Sequence, residues 1–186
     1  MNGSPRTTFA QLIQQEGDRA TYSAAVEVLA AAVPATPTDL IQLIGVTGKV
    51  IRVSMVELSM DATAAGVLDL YLIKRTAANT GGSVSAITPI PHDGQDPAAS
   101  AVLQVYTALA NPLGAGVIIR ARGASLPAAG TPAYAVSPTA WDFGIRNGKT
   151  ITLRGPLDSL CLNFGGQAVP SGLDLWFNIE WSEDVV

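Results

Sequence analysis

Residues 49–74, KVIRVSMVELSMDATAAGVLDLYLIK, limit what this chain can fold into more than any other stretch. Their apolar residues recur at every second position, and successive side chains of a strand point to opposite faces. On the first arm Ile51, Val53 and Met55 alternate with Arg52 and Ser54. After Met55 the phase flips, so that Val56, Leu58 and Met60 are apolar and Glu57 and Ser59 lie opposite. One inserted residue, a β-bulge, keeps both sets on the same face. The second arm sets Leu68, Leu70 and Leu72 against Asp69, Tyr71 and Ile73. Val, Ile and Tyr favour strands over helix. The soft turn between the arms ends at Gly66, which is free to take a positive φ. The expectation is the central hairpin of an all-β sandwich.

The remaining chain carries the same period in shorter pieces. The clearest is near the C-terminus: Leu173, Leu175, Phe177, Ile179 and Trp181 alternate with Asp174, Trp176, Asn178, Glu180 and Ser182. Trp176 on that polar parity calls for a second packing layer or a contact with another subunit. Residues 39–44, 100–107, 116–121, 139–143, 150–154 and 157–164 read as further strands, separated by Gly, Pro and Asn punctuation. Residues 21–32 divide between a helix favoured by Ala, Glu and Leu and a strand favoured by Tyr22, Val26 and Val28, the strand agreeing with the rest. Eight or nine short strands at this spacing mark an antiparallel β-sandwich, and a jelly roll fits the number. Residues 76–96 and 125–138 read as long loops, which in compact domains tend to be functional. Residues 1–20 read as an N-terminal arm and residues 21–186 as the jelly-roll-like sandwich domain.

Composition bears on partners. Charged residues are 14% of the chain, against about 25% for an ordinary soluble domain. With many Ala, Gly and Thr, this points to surface buried against other chains. The net charge of −4 and the lack of a basic tract argue against direct nucleic-acid binding. No apolar run approaches the roughly 20 residues of a membrane span, and the N-terminal region lacks the pattern of a secretory signal.

No motif carries catalytic chemistry. The one histidine, His92, lies in Pro91-His-Asp-Gly-Gln-Asp96, where closely spaced Asp residues between prolines read as a turn rather than a metal or base site. The one cysteine, Cys161, sits between leucines, the setting of a buried inert thiol and not of a nucleophile. Gly144-Ile-Arg-Asn-Gly-Lys-Thr150 is one residue short of a phosphate loop and precedes a β-period run instead of a helix. Asn147-Gly148 within it reads as a hairpin turn. Asp174, Glu180, Glu183 and Asp184 read as a solvated strand face and tail. The sequence therefore assigns no catalytic, cofactor-binding or metal residue, and the expectation is that the protein is not an enzyme.

Five phrases carry a resemblance: Thr38-Asp-Leu-Ile-Gln-Leu-Ile-Gly45, Lys74-Arg-Thr-Ala-Ala-Asn-Thr-Gly-Gly82, Pro91-His-Asp93, Trp141-Asp-Phe-Gly144 and Trp176-Phe-Asn-Ile-Glu-Trp181. Together they resemble the capsid cement or decoration proteins of tailed bacteriophages, over most of residues 38–183 and excluding the arm. The resemblance implies a non-enzymatic sandwich, often a jelly roll, that forms a homotrimer. It implies binding to the outside of the capsid shell, where the trimer clamps neighbouring subunits of the major capsid protein. The location implied is the virion surface, after synthesis in the host cytoplasm. The arm and the two long loops are expected to make the inter-subunit contacts. The alternative is a host-recognition or lectin-like sandwich on a head fibre or tail, with Tyr134 and Trp141 as loop-end contacts.

Overall fold

The computed structural model describes residues 19–28, 38–108, 113–127, 138–144 and 149–185. Twelve strands run in chain order: β1 (Thr21–Val28), β2 (Asp39–Ile44), β3 (Lys49–Asp61), β4 (Gly66–Arg75), β5 (Ser83–Ile87), β6 (Ile90–Pro91), β7 (Val102–Ala108), β8 (Gly116–Leu126), β9 (Thr139–Asp142), β10 (Ile151–Arg154), β11 (Ser159–Asn163) and β12 (Asp174–Val185). They form two six-stranded antiparallel sheets. Sheet A has the order β10-β3-β12-β1-β6, with β9 also on β3, and sheet B the order β5-β7-β2-β11-β4-β8. One hydrophobic cluster joins the sheets, and it draws on β1, β3 and β12 from A and on β2, β4, β7 and β11 from B. The molecule is an all-β sandwich, as the period-two pattern predicts.

The phase flip in β3 is a bulge. Glu180 of β12 pairs with Met55 and Trp181 pairs with Val53, so Ser54 is the extra residue. Ile51 and Val53 before it, and Val56, Leu58 and Met60 after it, all reach the core. Met55 does not; it stays half-buried on the other face. Ser54 also uses its unpaired backbone, its carbonyl accepting the Phe143 N–H at 2.7 Å. Strand β12 reads as the sequence has it, with Leu175, Phe177, Ile179 and Trp181 buried in alternation.

The expected central hairpin is not one. β3 belongs to sheet A and β4 to sheet B. The periodicity of each arm is right, but their apolar faces meet across the core instead of lying side by side. Both edges of β3 are already taken, by β12 on one side and β9 and β10 on the other. The connection after Asp61 is therefore a crossover between sheets, tied down where the Thr63 and Ala64 N–H groups donate to Ser171 O. Gly66 is not needed for a positive φ. A Cβ there would sit 2.4 Å from Pro170 Cγ, so the residue must be small to let that loop approach.

Two other expectations change. β9 and β10 do not pair with each other; both run antiparallel to β3 along the same edge, one after the other. Asn147-Gly148, read as a hairpin turn between them, lies outside the described residues, but its flanking strands form no hairpin. The expected loop 76–96 contains β5 and β6, one added at the edge of each sheet. β5 is exposed along four of its five residues, so it shows no apolar alternation to read. The N-terminal arm to residue 18 and most of the second expected loop, residues 128–137, lie outside the described residues.

The bulge has a direct consequence. Deleting Ser54 must move either the first or the second half of β3 to the wrong face, because a one-residue slip inverts every side chain. The deletion is expected to abolish the cooperative urea transition followed by near-UV circular dichroism. Ser54→Ala, which keeps the register and loses only the hydroxyl bond to Glu180 O, is expected to retain it at a cost of about 1 kcal/mol.

Candidate functional site

The chain leaving β4 has to travel from one side of sheet B to the other, because β5 pairs with β7 at the far edge. Residues 76–82 make that passage over the outer face of the sheet. An outer face normally meets water, yet all five residues of β11 are buried, and β2 is buried on both parities. Beneath the passage lies a set of buried polar side chains. Asp39 at the start of β2 and Arg75 at the end of β4 form a two-bond fork, Nε to Oδ2 and Nη2 to Oδ1. Asp39 is 0% exposed and Arg75 5%. The fork spans β11, since Arg75 is registered with Ser159 and Asp39 with Asn163 at the other end of that strand.

The fork organises what surrounds it. Asn163 donates to Asp39 Oδ1 at 2.8 Å and accepts from the Gly165 N–H at 2.7 Å. Asn79, in the passage itself, donates to Asp39 Oδ2 at 2.7 Å and to the Tyr106 hydroxyl at 3.2 Å. Its carbonyl oxygen accepts the Gly114 N–H at 2.8 Å, and Arg75 Nη1 donates to Gly114 O at 2.7 Å. Gly114 has no room for a side chain: a Cβ would sit 1.9 Å from Ala77 O. A second branch runs from the Tyr106 hydroxyl and Gln104 to Gln42 Oε1, then from Gln42 to Ser159 Oγ. Burial raises the Asp39 pKa, but hydrogen bonds from Arg75, Asn163 and Asn79, with the charge of Arg75, outweigh it and hold the carboxyl below its ordinary value.

A second buried carboxylate holds the other end of the insertion. Glu183 accepts the Ser100 and Ala101 N–H groups at 3.0 and 2.9 Å and the Trp181 indole N–H at 3.2 Å. Tyr22 adds a hydroxyl bond to Pro97 O at 3.0 Å. Glu183 is thus a structural anchor and not part of a solvated tail, which corrects the sequence reading. Residues 76–101 are pinned at both ends, and between the pins Val84 and Ile90 lie exposed, as does Val102 just beyond.

The other residues singled out in the sequence are dispersed. His92 is exposed and holds its turn by donating its backbone N–H to Thr21 O at 2.8 Å, and Asp93 accepts the Gln95 N–H at 2.9 Å. Cys161 lies on sheet B under the Arg75–Asp39 fork, with its thiol pushed well up by burial and by the charge of Asp39. His92 follows β6 on the edge of sheet A, so the two do not form a pair. Asp184 pairs with Arg52 at 2.7 Å. Trp176 is half-buried, and its indole N–H donates to its cross-strand neighbour Glu27 at 3.1 Å. Among the described residues no group of three or more His, Cys, Asp or Glu side chains could hold a metal ion, and no helix is long and apolar enough to cross a membrane.

Sequence reasoning missed Asp39, Gln42, Arg75, Asn79 and Asn163. One signal was available: polar residues at 39 and 42 interrupt an otherwise apolar strand, Asp-Leu-Ile-Gln-Leu-Ile. Two of the phrases quoted above, residues 38–45 and 74–82, meet in this network. No family model matches the chain, and no curated protein matches it.

The fork makes stability acid-sensitive. A carboxyl held below its unfolded value of about 3.9 stabilises the fold above that pH and loses this contribution as pH falls through the folded value. Asp39→Asn is expected to cost about 3–5 kcal/mol at neutral pH, because Arg75 is left buried without its counter-charge, and to flatten the acid limb of the urea-midpoint profile. Asn79→Ala is expected to cost about 1–3 kcal/mol. Hydrogen exchange should then speed up at residues 76–82 and Gly114 while β11 and β12 stay protected.

Proposed function

We propose that this protein is a virion structural protein, a cement or decoration subunit that binds the outer surface of a bacteriophage capsid shell. The observation that carries the reading is the insertion at residues 76–101. It is held by two buried carboxylates at its ends and offers Val84, Ile90 and the neighbouring Val102 to the surface. A contact surface fixed before binding loses little conformational entropy when a partner docks. The polar groups beneath it satisfy one another, which suits a mechanical part better than a reactive one. Exposed Val67, Val117 and Ile118 add apolar surface on the β4–β8 side of sheet B, in keeping with the low charge fraction. The alternating order β1-β12-β3-β10 facing β2-β11-β4-β8 supports the jelly-roll reading of the sandwich, with β5, β6 and β7 as the inserted strands.

In this reading a homotrimer clamps neighbouring subunits of the major capsid protein. Binding only the mature lattice stabilises that lattice by mass action. Light scattering across a concentration series is expected to give a concentration-independent trimer. The purified protein should co-sediment with shells of the phage whose genome encodes it and raise their thermal disruption temperature. Protein that stays in the supernatant with intact, undecorated shells rules the reading out. Removing residues 1–19 is expected to weaken shell binding and leave the sandwich folded; binding at full strength would remove the arm from the mechanism.

A further inference from the structure

The outer face of sheet A gathers positive charge at the corner made by β10, β3 and β12. Register places Thr152 opposite Arg52 and Arg154 opposite Val50, so Arg52 and Arg154 are diagonal neighbours on adjacent strands. Arg19 arrives just before β1, and Lys149 and Thr150 just before β10. Arg19, Arg52, Lys149, Thr150, Thr152 and Arg154, with Gly144 just beyond β9, line a cavity of about 650 Å³. Arg19, Arg52, Lys149 and Arg154 are four of the eleven Lys and Arg residues of a chain whose net charge is −4.

Among the described residues, Asp184 is the acid that pairs with them. Asp184 takes Arg52 at 2.7 Å and Arg19 at 3.5 Å. Lys149 and Arg154 take part in none of the ion pairs among the described residues. Asp158, the nearest acid in sequence to Arg154, is engaged by Lys74 at 3.4 Å and by the Arg154 backbone N–H at 2.9 Å. Like charges on neighbouring strands repel unless an anion lies between them. The cavity is the size of a small-molecule site and larger than one tetrahedral oxyanion.

We propose that this cavity binds a compact polyanion of the oligophosphate class. Guanidinium forks engage phosphate oxygens two at a time, and Lys supplies a point charge. Among the described residues the lining holds four cations and no acid, and Asp184 pairs with two of the four. An oligophosphate concentrates its charge in that space, whereas an acidic peptide spreads one charge per residue along about 3.3 Å of chain. The site does not use the backbone cradle of a phosphate loop, since β10 follows Lys149 and Thr150 where such a loop opens a helix.

The test is calorimetric titration of the full chain with inorganic triphosphate at low ionic strength, repeated with hexaglutamate. Triphosphate is expected to bind with one site per chain and to raise the melting temperature. The double variant Lys149→Ala, Arg154→Ala is expected to weaken it on the order of tenfold or more while melting like the unmodified protein without ligand. Among the described residues neither carries an ion pair, so the fold is expected to survive the change. No heat with millimolar triphosphate, or equal binding by the double variant, overturns the proposal. Hexaglutamate binding as tightly as triphosphate overturns the phosphate class and marks the cavity as a site for an acidic protein segment. None of these outcomes depends on whether the protein binds a capsid shell.

Discussion

A carboxylate and a guanidinium buried together on the outside of a sheet set the terms for much of this molecule. The Asp39–Arg75 fork lies on the face of sheet B that water would otherwise cover, and it spans β11. Neither charge can be left there alone, because an unpaired buried charge costs several kcal/mol. The pair therefore demands a cover, and the chain after β4 supplies it through Asn79, joined by Gly114 just before β8. Such a pair gives little net stability compared with an apolar substitute. Its effect is geometric: Asp39 uses both oxygens and accepts from three side chains, so the passage over the sheet has one position that satisfies every group.

The same logic recurs at Glu183. Position 183 falls on the parity that Leu175, Phe177, Ile179 and Trp181 fill with apolar groups, and a carboxylate there must find donors. It finds the Ser100 and Ala101 amides, which return from β6 toward β7. The two acids thus convert a long connection into a fixed part of the sandwich and add an edge strand to each sheet. Elsewhere the edges are guarded. In β8, Arg120 and Arg122 share the inward parity with Ala124 and Leu126, and Arg120 stacks over Phe143 at 5.1 Å. Inward charges at an edge discourage pairing with another chain. The insertion, like the start of β8 at Val117 and Ile118, carries exposed valine and isoleucine.

The parts of the fold legible in the sequence were those set by neighbours along the chain. A bulge in β3 could be read because the phase of Ile51 and Val53 disagrees with that of Val56, Leu58 and Met60, but the pattern put the flip after Met55, whereas the extra residue is Ser54. β12 could be read through Trp181 because every second residue is apolar. β5 could not, since a strand exposed at an edge leaves no pattern. The polar network was equally silent. Asp39, Arg75 and Asn163 are far apart in sequence, each is ordinary for a strand end or turn, and only their convergence makes them a unit. The basic cavity gave one cue, the Lys149-Thr150 dipeptide, whose meaning depends on Arg52 and Arg154 lying beside it.

By itself, then, the sequence determined that this chain is a β-sandwich, which parity of its clearest strands faces the core, and that the strand at residues 49–61 must bulge. The pleat of the backbone turns a local alternation of side chains directly into two faces. Tertiary structure alone decided that β3 and β4 face each other across the core, that β9 and β10 share an edge, and that buried acids clamp the insertion. Each of those outcomes depends on which edge is already occupied by a strand distant in the chain. No local pattern records that competition.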